Sequence, residues 1–188
     1  KSFEELAQLG TKNVQGKIVF FNRPMDPTQI NTFAAYGGAV NQRGGGASEA
    51  AKYGAVAALV RSMGSNTEDY PHTGGMRYAP NIPQIPAFAI STKHADQLSR
   101  LLKEDKAIQV YLESHCETLE EAPSFNVIGE IRGSENKDEY IVVGGHLDSW
   151  DLGQGAHDDG AGCIQSIEAL RILKSIGYKP KRTLRAVM

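Results

Sequence analysis

The sequence predicts an α/β chain in two modules: a strand-rich α/β module, then the start of a mixed-sheet α/β domain that is cut short. Three observations predict it. Short apolar strands alternate with helical patterns through the first part of the chain. An acidic, proline-ended stretch, Glu117 to Pro123, then reads as a linker. Beyond it the order becomes strand, loop, helix, strand, which is a parallel crossover unit. The expected modules are residues 1–120 and 121–188.

In the first module, Lys17 to Phe21 (Lys-Ile-Val-Phe-Phe) reads as a short buried strand, ended by Pro24 and Pro27. The run Gly44-Gly45-Gly46 leads into Ala47 to Tyr53, a short helix stopped at Gly54. Val56 to Val60 is the next strand. Ser62 to Pro86 is polar and rich in Gly and Pro, hence a surface excursion. Ala87 to Ile90 is a strand, and Ser91 or Thr92 can cap the helix behind it. Ala95, Leu98, Leu101 and Leu102 share one face of that helix. Ile108 to Leu112 reads as a closing strand.

In the second module, Phe125, Val127, Gly129 and Ile131 alternate as in a half-exposed antiparallel strand. Gly133 to Glu139 reads as a charged turn. Tyr140 to Val143 is an unbroken apolar run, expected of a strand buried on both faces. Positions 163, 164, 167, 170 and 173 carry apolar residues at helical spacing, and Gly177 and Pro180 end that helix. Leu184 to Met188 begins another strand.

Composition excludes some partners. The net charge is −2, with 22% charged and 40% hydrophobic residues. That leaves no basic footprint for nucleic acid or acidic lipid, and no apolar run reaches the roughly 20 residues of a membrane span. The chain opens at Lys1 rather than Met and stops at Met188 within an apolar run, so both ends read as cut. Two cysteines are too few for a disulfide framework and fit no zinc spacing. Cys163 falls on an apolar helix face and is expected to be a buried free thiol. His72 and His94 stand alone, so a hydrogen-bonded or solvent-facing role is expected of each. Gly44–Gly46 lacks the Gly-Lys-Ser/Thr ending of a phosphate loop, which leaves a hinge or close packing.

The chemistry gathers in the loop behind the Tyr140 strand, at the strand end where such sheets bind ligands. Between His146 and Asp159 it holds two histidines and four aspartates. Such crowding of like charge costs Coulomb energy unless a cation offsets it. Imidazole with carboxylate suits zinc better than calcium, which prefers oxygen alone. A dinucleotide loop would need glycine where Asp158 stands. A capped turn would use Asp159 but leaves His146 and Asp158 unexplained.

His146-Leu147-Asp148-Ser149 and the run Gly155-Ala-His-Asp-Asp-Gly-Ala-Gly162 resemble the first two metal motifs of the two-zinc aminopeptidase/glutamate carboxypeptidase family. The resemblance extends to Gly16-Lys-Ile-Val, Glu49 to Ala55, Pro71-His-Thr-Gly, Ser124-Phe-Asn and Pro180 to Arg185. It implies a protease-associated domain over residues 1–120 and the first part of a zinc-exopeptidase domain over 121–188. It implies that His146 is a terminal ligand of one zinc and that Asp158 bridges two. Asp148 would orient the His146 ring, and Asp159 would follow Asp158 through a cis peptide that aims the bridging carboxylate. Trp150 and Asp151 either line the substrate entrance or fix the loop.

The implied reaction is hydrolysis of a peptide bond in a dipeptide or at a chain end, by water activated between two zincs. The general base and the other ligands would lie after the Leu184 strand, so the chain alone is expected to be inactive. The resemblance also implies a secreted or periplasmic location and allows a homodimer. The alternative is a non-catalytic binding module, built on a protease-associated domain beside a decayed peptidase site.

Overall fold

The computed structural model describes residues 1–150 and 153–188. They form two compact units, Lys1–Cys116 and Glu117–Met188.

The first unit opens with α1 (Phe3–Val14), which kinks at Gly10, where φ is +61°. Ser2 caps it by accepting the Glu5 N–H. Then follow β1 (Ile18–Phe21), α2 (Thr32–Gly44), α3 (Gly46–Ala51), β2 (Ala57–Arg61), β3 (Ala87–Ile90) and α4 (Thr92–Glu104). The three strands lie in the order β1-β2-β3, and both pairings are parallel. Ala58, Val60 and Phe21 of the sheet pack with Leu6 and Val14 of α1 and Ala47 and Ala50 of α3 to make the core. Gly45 closes α2 and opens α3. A Cβ at Gly46 would stand 3.0 Å from the Phe21 ring, so of the glycine run it is Gly46 that serves close packing.

Ser91 caps α4 by accepting the His94 N–H, a contact of the kind worth about 1 kcal/mol. Thr92, at the first position of α4, is fully buried. Its hydroxyl accepts the Glu68 N–H at 2.9 Å and donates to the Asn66 carbonyl at 2.9 Å, pinning the excursion 62–86 to the helix. His72 is hydrogen-bonded within that excursion, Nδ1 to the Met63 carbonyl and Nε2 to Glu68. His94 meets the Ser91 hydroxyl.

Two readings of this unit change. Phe3–Val14 and Thr32–Gly44 are helices that hydrophobic spacing alone did not mark. Ile108 to Leu112 forms no strand. Val110, Tyr111 and Leu112 instead line a cleft of about 530 Å³ with Ile18, Val56 and Phe88, with Val110 and Tyr111 left exposed.

The second unit holds β4 (Ile128–Ile131), β5 (Asn136–Gly144), α5 (Gly162–Ser175) and β6 (Arg182–Val187). The strand order is β4-β6-β5, with β4 antiparallel and β5 parallel to β6. The mixed sheet and its crossover through α5 are as expected. The charged turn is shorter than expected, because β5 already begins at Asn136, with a register shift before Tyr140.

The expectation that Tyr140 to Val143 is buried on both faces does not hold. Tyr140, Ile141 and Val142 are exposed and Val143 is half-buried, because among the described residues β5 is an edge strand of three and α5 is the helix with the most extensive packing against the sheet. The Tyr140 ring carries the Arg185 guanidinium 3.9 Å from its centroid. On α5 only Cys163 is buried, while Ile164 and Ile167 face solvent. Cys163 and Cys116 are both free thiols, the first buried and the second exposed. Among the described residues no helix is long and apolar enough to cross a membrane.

Candidate metal centre

The parallel pairing of β5 with β6 places the next loop at the carboxyl edge of both strands, where Gly144 stands opposite Val187. The chain leaves β5 at Gly144 and reaches α5 through a π-type turn, Ala156–Ala161. Gly155 enters that turn at φ +65°, a left-handed conformation that favours glycine, and its carbonyl accepts the Gly160 N–H at 2.7 Å. The turn brings Asp158 back beside His146.

The two meet directly. His146 Nε2 lies 3.0 Å from Asp158 Oδ1. The other ring nitrogen, Nδ1, faces the Asp148 carbonyl at 2.9 Å and the Asp148 carboxylate at 3.1 Å. Every partner of the ring is therefore a hydrogen-bond acceptor, which favours a proton on each nitrogen. The His146 pKa is accordingly raised above its ordinary value, first by the bond to the Asp148 carbonyl, then by Asp158 and both carboxylate charges. Partial desolvation opposes the shift.

The same arrangement suits a divalent cation. With Nδ1 held by Asp148, Nε2 is the nitrogen left to bind metal, the usual arrangement of a zinc histidine. Two ligands of one tetrahedral zinc stand roughly 3.4 Å apart, so a shift of a few tenths of an ångström at His146 and Asp158 would admit the ion. The site opens to solvent as a cleft of about 270 Å³, lined by His146, Asp148, Ser149, Trp150 and Asp158. Among the described residues no group of three or more His, Cys, Asp or Glu side chains is placed so that all could hold one metal ion.

The structure thus brings together His146, Asp148 and Asp158. Asp159 is joined to Asp158 by a cis peptide and turns its carboxylate the other way, to accept the His146 N–H at 3.3 Å. Trp150 is part of the cleft wall, while Asp151 lies outside the described residues. Sequence reasoning missed Cys163 as a neighbour of the site. Its Sγ donates to the His146 carbonyl at 3.3 Å, and its helical spacing signals burial but not that partner.

Residues 126–188 match the model of peptidase family M28. The whole chain is 43% identical over 187 residues to carboxypeptidase Q of Bos taurus, of which it spans 38% of the length. Human carboxypeptidase Q is 42% identical over the same span. Among solved structures, a peptidase M28 precursor from Shewanella amazonensis superposes on the chain with a TM-score of 0.83 at 33% identity. That match covers all of this chain and 42% of the other. By sequence, residues 126–188 resemble peptidase family M28, and the backbone of the chain is similar to that of the M28 precursor.

Proposed function

We propose that this chain supplies the first metal-binding segment of a zinc-dependent exopeptidase that hydrolyses peptides or dipeptides. The observation that carries the reading is the convergence of His146 Nε2 and Asp158 Oδ1 at 3.0 Å, with Nδ1 fixed on Asp148. In this reading His146 and Asp158 would hold zinc, Asp158 as the carboxylate shared by two ions, while Asp148 would orient the imidazole and Asp159 would support the loop from behind. Zinc, when bound, polarises the scissile carbonyl and activates water for attack.

The chain's own residues do the rest of what can be assigned to them. Asp148 would hold the proton on Nδ1, so that Nε2 would be the nitrogen that gives up its proton to a metal. The Asp158 carboxylate, solvent-facing and beside Nε2, brings the negative charge that offsets the cation. Two donor side chains do not complete a two-zinc site, so the general base and the remaining ligands are assigned to the part of the relatives' length that this chain does not span. Residues 1–120 are proposed as a protease-associated domain, with a secreted or periplasmic location and a homodimeric assembly as part of the same reading.

The test is zinc stoichiometry and dipeptide hydrolysis by the full-length protein beside a His146→Ala variant. Loss of metal and of turnover in the variant supports the reading. Full metal content and full activity in the variant sink it, and so does dipeptide turnover by the isolated 188-residue chain for the claim that this segment is incomplete.

A further inference from the structure

We infer that Asp159, in the π-type turn, and Cys163, in the first turn of α5, are positioning residues that hold the main chain of His146; their importance for metal binding rests on the zinc reading above. His146 is held at both of its backbone groups. Its N–H donates to Asp159 Oδ2 at 3.3 Å, and its carbonyl accepts from Cys163 Sγ at 3.3 Å. Its ring is separately engaged by Asp148 and Asp158. The ring contacts set which nitrogen faces the metal, whereas the backbone contacts set where the whole residue stands relative to the helix.

Two glycines record how closely this bracket fits. A side chain at Gly145 would collide with Asp159 Oδ2 and would stand 3.0 Å from the Cys163 nitrogen and 3.1 Å from its sulfur. At Gly162 the three nearest atoms to a Cβ all belong to the Asp159 carboxyl group, and the overlap is severe. Gly162 has φ −65° and ψ −42°, ordinary right-handed helix that alanine adopts more readily than glycine. The Asp159 carboxylate is therefore what keeps position 162 free of a side chain. Asp159 is half-buried and Cys163 is buried, so the bracket lies behind the cleft rather than in it.

The first readout is amide hydrogen exchange at His146 in the metal-free 188-residue chain, and the second is zinc affinity of the full-length protein by calorimetry. Asp159→Ala is expected to speed His146 exchange about tenfold and to weaken zinc binding by about the same factor, the lower end for residues that orient a ligand. Asp159→Asn keeps an acceptor oxygen and is expected to restore most of both. Cys163→Ala is expected to weaken zinc about threefold, with rescue by Cys163→Ser, since a thiol is a weak donor.

Gly162→Ala supplies a measure that does not depend on metal. It is expected to lower the melting temperature of the parent chain and to raise it in the Asp159→Ala background, where the obstruction is gone. Unchanged His146 exchange in Asp159→Ala, or the same effect of Gly162→Ala in both backgrounds, would overturn the proposal. Equal zinc affinity of the full-length parent and its His146→Ala variant would instead overturn the zinc reading, with the exchange and melting results still deciding the bracket.

Discussion

Thr183 Oγ1 donates to the carbonyl of Lys137 at 2.8 Å, at the place where β5 shifts register against β6. A register shift leaves ladder groups without their regular partners. The same hydroxyl also accepts the Gly133 N–H at 3.0 Å, so one 1%-exposed side chain serves two backbone groups.

Thr183→Val keeps the shape of the side chain and removes both hydrogen bonds. It should destabilise the second unit by about 1–3 kcal/mol, the cost of leaving buried polar groups unpaired. Thr183→Ser, which keeps the hydroxyl, should lose less than about 1 kcal/mol. Urea denaturation of the two variants distinguishes these outcomes, and equal midpoints would show that the hydroxyl carries no weight.

At Gly46 two effects oppose each other. Alanine gains helix propensity of about 1 kcal/mol, but its methyl group would press on the Phe21 ring at 3.0–3.3 Å. The two nearly cancel, so Gly46→Ala should be close to neutral. Valine adds bulk without that gain and should cost about 1–3 kcal/mol by overpacking. Thermal melts of both variants check the ordering.

The raised pKa of His146 has a defined sign. The folded chain binds a proton at this ring more tightly than the unfolded chain, whose histidines titrate near 6.5. The resulting stabilisation is fully present below that unfolded value. It is lost as the pH rises through the higher folded value. Zinc competes with this proton for Nε2, so metal affinity should climb over the same upper window. A proton NMR titration of the imidazole, without metal, should find His146 above the ordinary range, and Asp158→Asn should lower it.

Removal of single groups around the site should rank in order. His146→Ala should abolish zinc binding by the full-length protein, and Asp148→Ala should weaken it about 10–100-fold by freeing the ring to rotate. Ser149→Ala, which alters the cleft wall without removing a charge, should leave it unchanged. Calorimetric titration of the three variants tests the series, and a stronger effect at Ser149 than at Asp148 would reverse the assigned roles.

The parts of this molecule that sequence made legible are those set by local pattern. Ala87–Ile90 and the Ser91 cap follow from apolar runs and cap chemistry, and the crossover from β5 through α5 to β6 follows from element order. The loop that brings His146 to Asp158 stood out in the sequence because few loops collect such side chains, and their metal role is the proposal made above. What stayed hidden depends on partners far along the chain. The strand character of Asn136 to Glu139 rests on pairing with β6 and on Thr183, and charged residues there read as a turn. The exposure of Ile141 and Val142 depends on what lies beside the sheet, which an apolar run cannot report. Cys163 looked like core packing alone, since nothing in helical spacing reveals a thiol directed at a carbonyl 17 positions away.

β5 runs for nine residues with β6 on one side and, among the described residues, no strand on the other. Its outward row of amide donors and acceptors, next to bare Ile141 and Val142, is a template on which another extended chain can grow. Concentrated solutions of this polypeptide should therefore become sticky through that rim before they unfold. A lysine at Ile141 or Val142 would act as a gatekeeper there, keeping the molecules apart while the histidine loop beyond Gly144 stays in place.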